Sequence, residues 1–203
     1  MAVALKAGPG AGFMEWAYLV FSRLNSRYEQ GSAEGVLSWA IETFGTGLAV
    51  GTSFGASGLV LMDMALKIQP DVDIFYIDTG YFFPESNKLI DRLQDHYQRN
   101  FRRVLPEQTV PQQAEEYGPA LYHRDPDLCC QLRKVAPLST ALQDSTAWAT
   151  AIRRDQASTR SKTPAITWNE RHNVVKISPL IHWREDEIWQ YVHTHKLPYN
   201  QLH

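Results

Sequence analysis

The sequence has 203 residues, with 20 lysines and arginines against 22 aspartates and glutamates, a net charge of −2. That balance argues against a broadly basic nucleic-acid binder, so any anion site must be a local cluster. A hydrophobic content of 44% and a charged content of 21% fit a globular chain long enough for one domain with a full core, and two cysteines build no disulfide framework and point to a reducing compartment.

Met1 to Gly12 is rich in alanine and glycine, lacks the apolar core of a secretory signal, and reads as a frayed terminus. No segment approaches the roughly 20 apolar residues of a membrane span, so a cytoplasmic protein is expected. Phe13 to Tyr28 places Phe13, Trp16, Ala17, Val20, Phe21 and Leu24 at helical spacing. Ser32 caps a second helix that runs to Gly45 and Gly47. Leu48-Ala49-Val50 then reads as a buried parallel strand, followed by a glycine-rich loop and a helix over Leu59 to Ile68. Ile74 to Ile77 predicts a second strand, and Pro84 suits the first turn of a helix with Leu89, Ile90, Leu93 and Tyr97 inside. Phe101 to Leu105 predicts a third strand, Gln112 to Tyr117 a helix, and Gly118 to Asp127 a loop. Arg133 to Leu142 is expected to be helical, with Pro137 at a bend or near the start. Ala147 to Ile152 and Val174 to Ile177 are expected strands, and Asp186 to His195 an amphipathic helix with Ile188, Trp189 and Val192 inward. This alternation predicts an α/β fold with a mainly parallel sheet flanked by helices.

Four places carry chemistry. The segment Ser53 to Gly58 joins a strand to a helix, at the sheet edge where ligands bind in such folds. Gly55 and Gly58 are expected to let backbone N–H groups face an anion, with hydroxyls from Ser53 and Ser57. The segment is neither a Walker A sequence nor the dinucleotide fingerprint, and a plain strand-to-helix turn is the competing reading. Asp78-Thr79-Gly80, at the next strand end, supplies a second loop on the same edge. Cys129 and Cys130 are adjacent. Their Cα atoms stand about 3.8 Å apart, short of the roughly 4.4–6.8 Å that a disulfide prefers. Beside Arg133 and Lys134 they suggest an iron–sulfur or metal site next to an anion site. Arg153, Arg154 and Arg160, flanking Gln156, follow a strand end and are expected to form a cationic floor with Arg133 and Lys134. A solvated position is the competing reading for each arginine. The histidines show no paired metal spacing.

Together the segments resemble the adenylyl-sulfate and phosphoadenylyl-sulfate reductases of assimilatory sulfate reduction. Four pieces carry the likeness: Thr52-Ser53-Phe54-Gly55-Ala56; Asp78-Thr79-Gly80 with Pro84-Glu85; Cys129-Cys130 through Arg133-Lys134 to Leu138; and Ala149 to Gln156 with Arg160. The ending Leu197-Pro198-Tyr199-Asn200-Gln201-Leu202-His203 is similar too. The resemblance implies an adenine-nucleotide alpha hydrolase-like fold with a modified pyrophosphate loop. The likeness runs from about Gly47 to His203 and implies a sulfonucleotide-binding domain over 47–203, with the helices predicted before it forming an N-terminal helical segment over 1–46 of one compact domain. It places the nucleotide against Ser53, Phe54, Gly55, Ala56, Ser57, Ile77, Asp78, Thr79 and Gly80. The phosphosulfate then falls near Arg133, Lys134, Arg153, Arg154, Gln156 and Arg160.

The vicinal cysteines further imply the branch that carries a [4Fe–4S] cluster, with Cys129 and Cys130 as ligands and adenylyl sulfate preferred over phosphoadenylyl sulfate. In such enzymes a tail cysteine attacks the substrate's sulfur, AMP leaves, and thioredoxin or glutaredoxin releases sulfite, in cysteine biosynthesis. No nucleic-acid or membrane partner is implied, and a homo-oligomer is left open. Relative to that pattern the chain ends before a second C-x-x-C pair and the nucleophilic tail cysteine. The expectation is therefore a fragment or truncated gene product that is inactive alone, with two of four cluster ligands. Ala151 stands where a glycine is usual, and Ser57-Gly58 replaces an acidic pair. A non-catalytic adenine-nucleotide-binding relative is the alternative. An adenylating enzyme ranks lowest, because the loop lacks the aspartate that such chemistry needs.

Overall fold

Local chemistry sets the ends of the first two helices in the computed structural model, which describes residues 11–29 and 31–200. Helix α1 spans Ala11–Tyr28 and α2 spans Ala33–Phe44. Ser32 caps α2 by accepting the N–H of Gly35 at 3.1 Å, and Gly45 ends it at φ +51°. Of the apolar positions expected to face inward on α1, Phe21 is buried and Val20 and Leu24 pack on the core. The side chains of Phe13, Trp16 and Ala17, residues 1–10 of the expected frayed terminus, and Gln201 to His203 of the familial ending lie outside the described residues. Ala11 and Gly12 already belong to α1.

The chain then alternates: β1 (Leu48–Gly51), α3 (Ala56–Ile68), β2 (Asp73–Ile77), α4 (Pro84–Tyr97), β3 (Arg102–Val104). Three helices follow, α5 (Val110–Tyr117), α6 (Leu121–Arg124) and α7 (Pro126–Cys130), then a π-helical turn over Gln131–Val135 that leads into α8 (Ala136–Leu142). The remaining elements are β4 (Ala147–Ala149), β5 (Ile166–Asn169), β6 (Val174–Ile177) and α9 (Glu185–Thr194). The six strands stand in the order β3-β2-β1-β4-β6-β5, parallel except for the β5–β6 pair. The sheet is thus the mainly parallel one that the alternation predicts.

Four local expectations change. Helix α3 begins at Ala56 rather than Leu59, because Gly55 serves as its N-cap in extended geometry. The stretch before the cysteines holds α6 and the start of α7, so both cysteines ride on a helix; Asp125 caps it through the N–H of Leu128 at 2.9 Å. β4 stops at Ala149, three residues early. β5 is unforeseen: Ile166 and Trp168 point to the face opposite Thr167, but four residues are too short a pattern to read beside an edge.

The two faces of the sheet are covered unequally. Helices α1, α2, α3, α4 and α9 bury one face, with Leu37, Val50, Leu59, Leu61, Met62, Leu93 and Ile188 essentially inaccessible. The other face receives mainly α8, whose Leu138, Ala141 and Leu142 pack on Ala49, Phe75, Val104 and Val174. One helix does not close that face, and the sheet's carboxyl edge beside it stays open. Asp63 of α3, only 2% exposed, knits the thick side together. It accepts the hydroxyls of Tyr97 at 2.7 Å and Tyr191 at 2.8 Å, and pairs with Lys67 at 2.7 Å. Burial first, and then the bond to Asp63, push both phenols well above their usual range.

Candidate functional site

A cleft of about 730 Å³ opens at the carboxyl ends of β1, β2 and β4. β1 is flanked by β2 on one side and β4 on the other, so the chain reverses its direction of travel across the sheet at this point. Such switch points leave a crevice between diverging connections.

Its rim is built from the β1–α3 junction. Thr52, Ser53, Gly55, Ala56, Ser57 and Gly58 line the cleft. With Gly55 as N-cap and no capping side chain, the first N–H groups of α3 have no intrahelical partner. They carry the partial positive charge of a helix start. The left-handed residue of this turn is not a glycine. Phe54 holds φ +60°, whereas Gly55 sits at an ordinary φ of −71°. A bulky residue tolerates that backbone only when held, and Phe54 is buried, edge-on to Tyr76 at 5.0 Å. Its N–H donates to the Thr52 hydroxyl at 3.0 Å. Gly58 matters by close approach instead, since a Cβ there would stand 2.7 Å from Thr52 Oγ1.

The opposite wall comes from β2. Ile77 and Thr79 line the cleft with Phe75 and Phe82, but Asp78 turns away. Its carboxylate accepts the Gly80 N–H at 2.8 Å and pairs with Arg103 at 2.5 Å, which fixes the corner. Gly80 adopts φ +76°, and a Cβ there would come within 2.9 Å of both Arg133 Nη2 and Val110 Cγ2. Gly80→Ala is expected to destabilise the fold by about 1–3 kcal/mol through left-handed strain, read as a lowered urea midpoint, and to displace Thr79.

The expected cationic floor divides. Lys134 lines the cleft. Arg133, 3% exposed, donates instead to the carbonyls of Thr79 and Gln108 and to Gln113 Oε1, so it is a bracket between the π turn and the β2 corner. Arg153 donates to the Ser57 hydroxyl and forks onto Asp155 at 2.8 and 3.1 Å, and that bonding holds the Asp155 carboxyl below its usual range. Gln156 lines the cleft and accepts from Arg160 at 2.5 Å. Arg154 points away, bound to Glu29 at 2.8 Å and to the Thr163 carbonyl at 2.9 Å. Sequence reasoning about the site did not select Trp148, Leu138, Phe82 or Thr150, all of which line the cleft. Their side-chain types are those of any core, so only the fold marks them. Ala151, noted for its methyl, lines it too.

Cys129 and Cys130 border a neighbouring cavity of about 560 Å³ with Tyr81, Phe83, Arg133 and Lys134. Cys129 is buried and Cys130 exposed. Lys134 and Thr79 line both cavities and form the partition between them. As a donor set for an iron–sulfur cluster, two thiols beside two cations are right in kind and half in number. Among the described residues no group of three or more histidine, cysteine or acidic side chains is placed to hold a metal ion.

An open, mostly parallel sheet with its cleft at the strand-order switch defines an α/β protein of the adenine-nucleotide alpha hydrolase-like class. The phosphoadenosine phosphosulfate reductase domain family matches residues 47–203. The chain belongs to that family, the sulfonucleotide reductases. It is 42% identical over 183 residues to the adenosine 5'-phosphosulfate reductase of Halalkalibacterium halodurans, covering 90% of this chain and 79% of that protein. It is 40% identical over 188 residues to the enzyme of the same name from Salinibacter ruber, covering 93% and 75%. The crystal structure of a phosphoadenylyl-sulfate reductase from Candida auris, in a phosphate complex, superposes with a TM-score of 0.79 at 32% identity, covering 90% and 88%. Among the described residues no helix is long and apolar enough to cross a membrane.

Proposed function

We propose that the cleft binds adenylyl sulfate for reduction to sulfite and AMP in sulfate assimilation. The observation that carries this reading is convergence: the free N–H groups of α3, the Thr79 corner, Lys134 and Gln156 all face one cavity whose inner wall is apolar. The apolar wall suits a purine, the helix start suits the α-phosphate, and Lys134 stands at the partition where a sulfuryl group would meet the thiol cavity. The names of the bacterial relatives and the vicinal cysteines favour adenylyl sulfate over its 3′-phosphorylated form. The family match beginning at residue 47 supports residues 47–203 as the binding domain and residues 1–46 as a helical addition.

The reaction needs a thiolate that attacks the substrate's sulfur, so that an S–S bond forms, the O–S bond breaks, and AMP leaves with the electron pair. A dithiol such as thioredoxin or glutaredoxin then reduces the thiosulfonate, releasing sulfite and becoming a disulfide. Cys129 and Cys130 would hold a [4Fe–4S] cluster together with two thiolates from outside this sequence, and a bound cluster would supply local electrostatic field rather than electrons. Lys134 holds positive charge between that position and the cleft, and Arg133 fixes it there. With both thiols so used, the 203 residues contain no further cysteine to act as nucleophile. The polypeptide alone is therefore expected to bind AMP and adenylyl sulfate in calorimetric titration yet to form no sulfite with thioredoxin. Turnover above background would overturn the assignment of both cysteines, and absence of nucleotide binding would overturn the cleft. The setting this implies is a reducing, cytoplasmic one.

A further inference from the structure

The loop from β1 to α3 is tethered at both ends. The Thr52 N–H donates to the Phe75 carbonyl at 3.0 Å, as a continuation of the sheet, and Gly55 is already the N-cap of α3, its carbonyl accepting the Leu59 N–H at 3.0 Å. Only Ser53 and Phe54 lie between, and from Thr52 to Gly55 the one buried residue is Phe54. It also holds the left-handed backbone of the loop, at φ +60°. Glycine adopts that conformation without steric cost, so a phenylalanine in it must be held by its ring. The ring enters an aromatic box: Tyr76 meets it edge-on at 5.0 Å and Phe101 lies tilted to it at 6.2 Å. The box is closed from behind. Phe82 stacks on Tyr76 at 6.4 Å, and Tyr97, bound to Asp63, meets Phe101 edge-on at 6.4 Å. Its walls therefore come from β2, α4 and the segments beside them, not from the loop itself.

We propose that Phe54 is a positioning residue for phosphate binding: its ring, seated between Tyr76 and Phe101, fixes the turn that aims the first N–H groups of α3 into the cleft. A left-handed residue directly before an extended N-cap turns the chain sharply, so the direction of the first turn of α3 follows from where that one side chain is anchored. Gly55, Ala56 and Ser57 line the cleft, and Phe54 acts through them without touching a ligand. With the ring removed, the turn keeps only the bond from the Phe54 N–H to the Thr52 hydroxyl at 3.0 Å. Donors that must converge on one phosphate would then be spread over several orientations. This rests on the nucleotide reading of the cleft, and it adds to that reading the side chain that preorganises the anion end.

The test compares AMP with adenosine on the full chain by calorimetric titration, with a urea transition for each variant. Phe54→Gly keeps the left-handed backbone and removes the ring. It is expected to weaken AMP binding about 10-fold, the low end for lost hydrogen bonds to a charged group, and adenosine binding by less than about twofold, since adenosine carries no phosphate. Phe54→Leu refills much of the box and is expected to fall between, with about a threefold loss for AMP alone. A merely structural role would lower the urea midpoint and leave both affinities of the folded protein unchanged. That result, or equal losses for the two ligands, overturns the proposal while leaving the cleft reading intact. If the unmodified chain binds neither ligand, both fall. Should Phe54→Gly fail to fold, Phe54→Leu decides: a loss for AMP with adenosine kept upholds the role, and wild-type affinity for AMP overturns it.

Discussion

Lys134→Ala is expected to weaken binding of adenylyl sulfate by about 10- to 100-fold, the range for a hydrogen bond to a charged group. Binding of adenosine should change by less than about twofold, because it carries no anion for the ammonium to meet. Geometry makes the contrast sharp. Lys134 lines the cleft and the thiol cavity at once, whereas its neighbour Arg133 is occupied by the Thr79 and Gln108 carbonyls. The π turn separates these roles: it adds a residue to the helical repeat, so that α7 carries the cysteines on one side and Lys134 faces the sheet edge. Calorimetry with both ligands checks the result. Equal losses for adenosine and adenylyl sulfate would place Lys134 outside the anion contact. Lys134→Arg should recover part of the affinity, since the charge returns with a different shape.

Asp63→Ala is expected to cost about 3–5 kcal/mol of folding stability, in the range for breaking a buried, hydrogen-bonded charge. It would leave the Tyr97 and Tyr191 hydroxyls without their acceptor and uncouple α3 from α4 and α9. A urea transition shifted to markedly lower concentration, with nucleotide affinity kept in the surviving folded fraction, is the expected outcome. A midpoint unchanged from wild type would mean the three elements are held by apolar packing alone. The same cluster predicts an alkaline limit. Both phenols titrate higher in the folded protein than in the unfolded chain. Their contribution is whole below about pH 10 and is lost as the pH climbs through the raised folded values. Tyr97→Phe with Tyr191→Phe should flatten the stability profile in that window.

Much of the layer architecture was readable from the chain because its causes are local. Leu48-Ala49-Val50 is apolar throughout since a parallel strand is covered on both faces. Pro84 opens α4 as expected, whereas the capping box of Thr109 with Gln112 starts α5 at Val110, two residues before the expected Gln112. The order of the four familial pieces named the reductase family, and the family match agrees. The loop was readable as a place but not as a conformation. Gly55 and Gly58 are the residues expected to turn backbone N–H groups toward an anion, yet the left-handed position of the loop falls to Phe54, because Tyr76 and Phe101 receive its ring. The asymmetry of the faces, with a single helix over Phe75 and Trp148, was not visible either, since both faces draw on the same apolar residue types.

What the chain alone determined is therefore the alternation of strands and helices, the helix caps, the vicinal thiols and the segments that meet at one sheet edge. These follow from backbone periodicity and from residue chemistry within a few positions. Tertiary structure decided where each charge goes. Arg133, Arg153 and Arg154 look alike in sequence, but a guanidinium is satisfied by whichever carbonyl or carboxylate the folded chain sets before it. Thr79, Asp155 and Glu29 are 54, 2 and 125 residues away from their partners. Only the fold brings two of these distant acceptors into reach, and in doing so it leaves Lys134 facing the cleft.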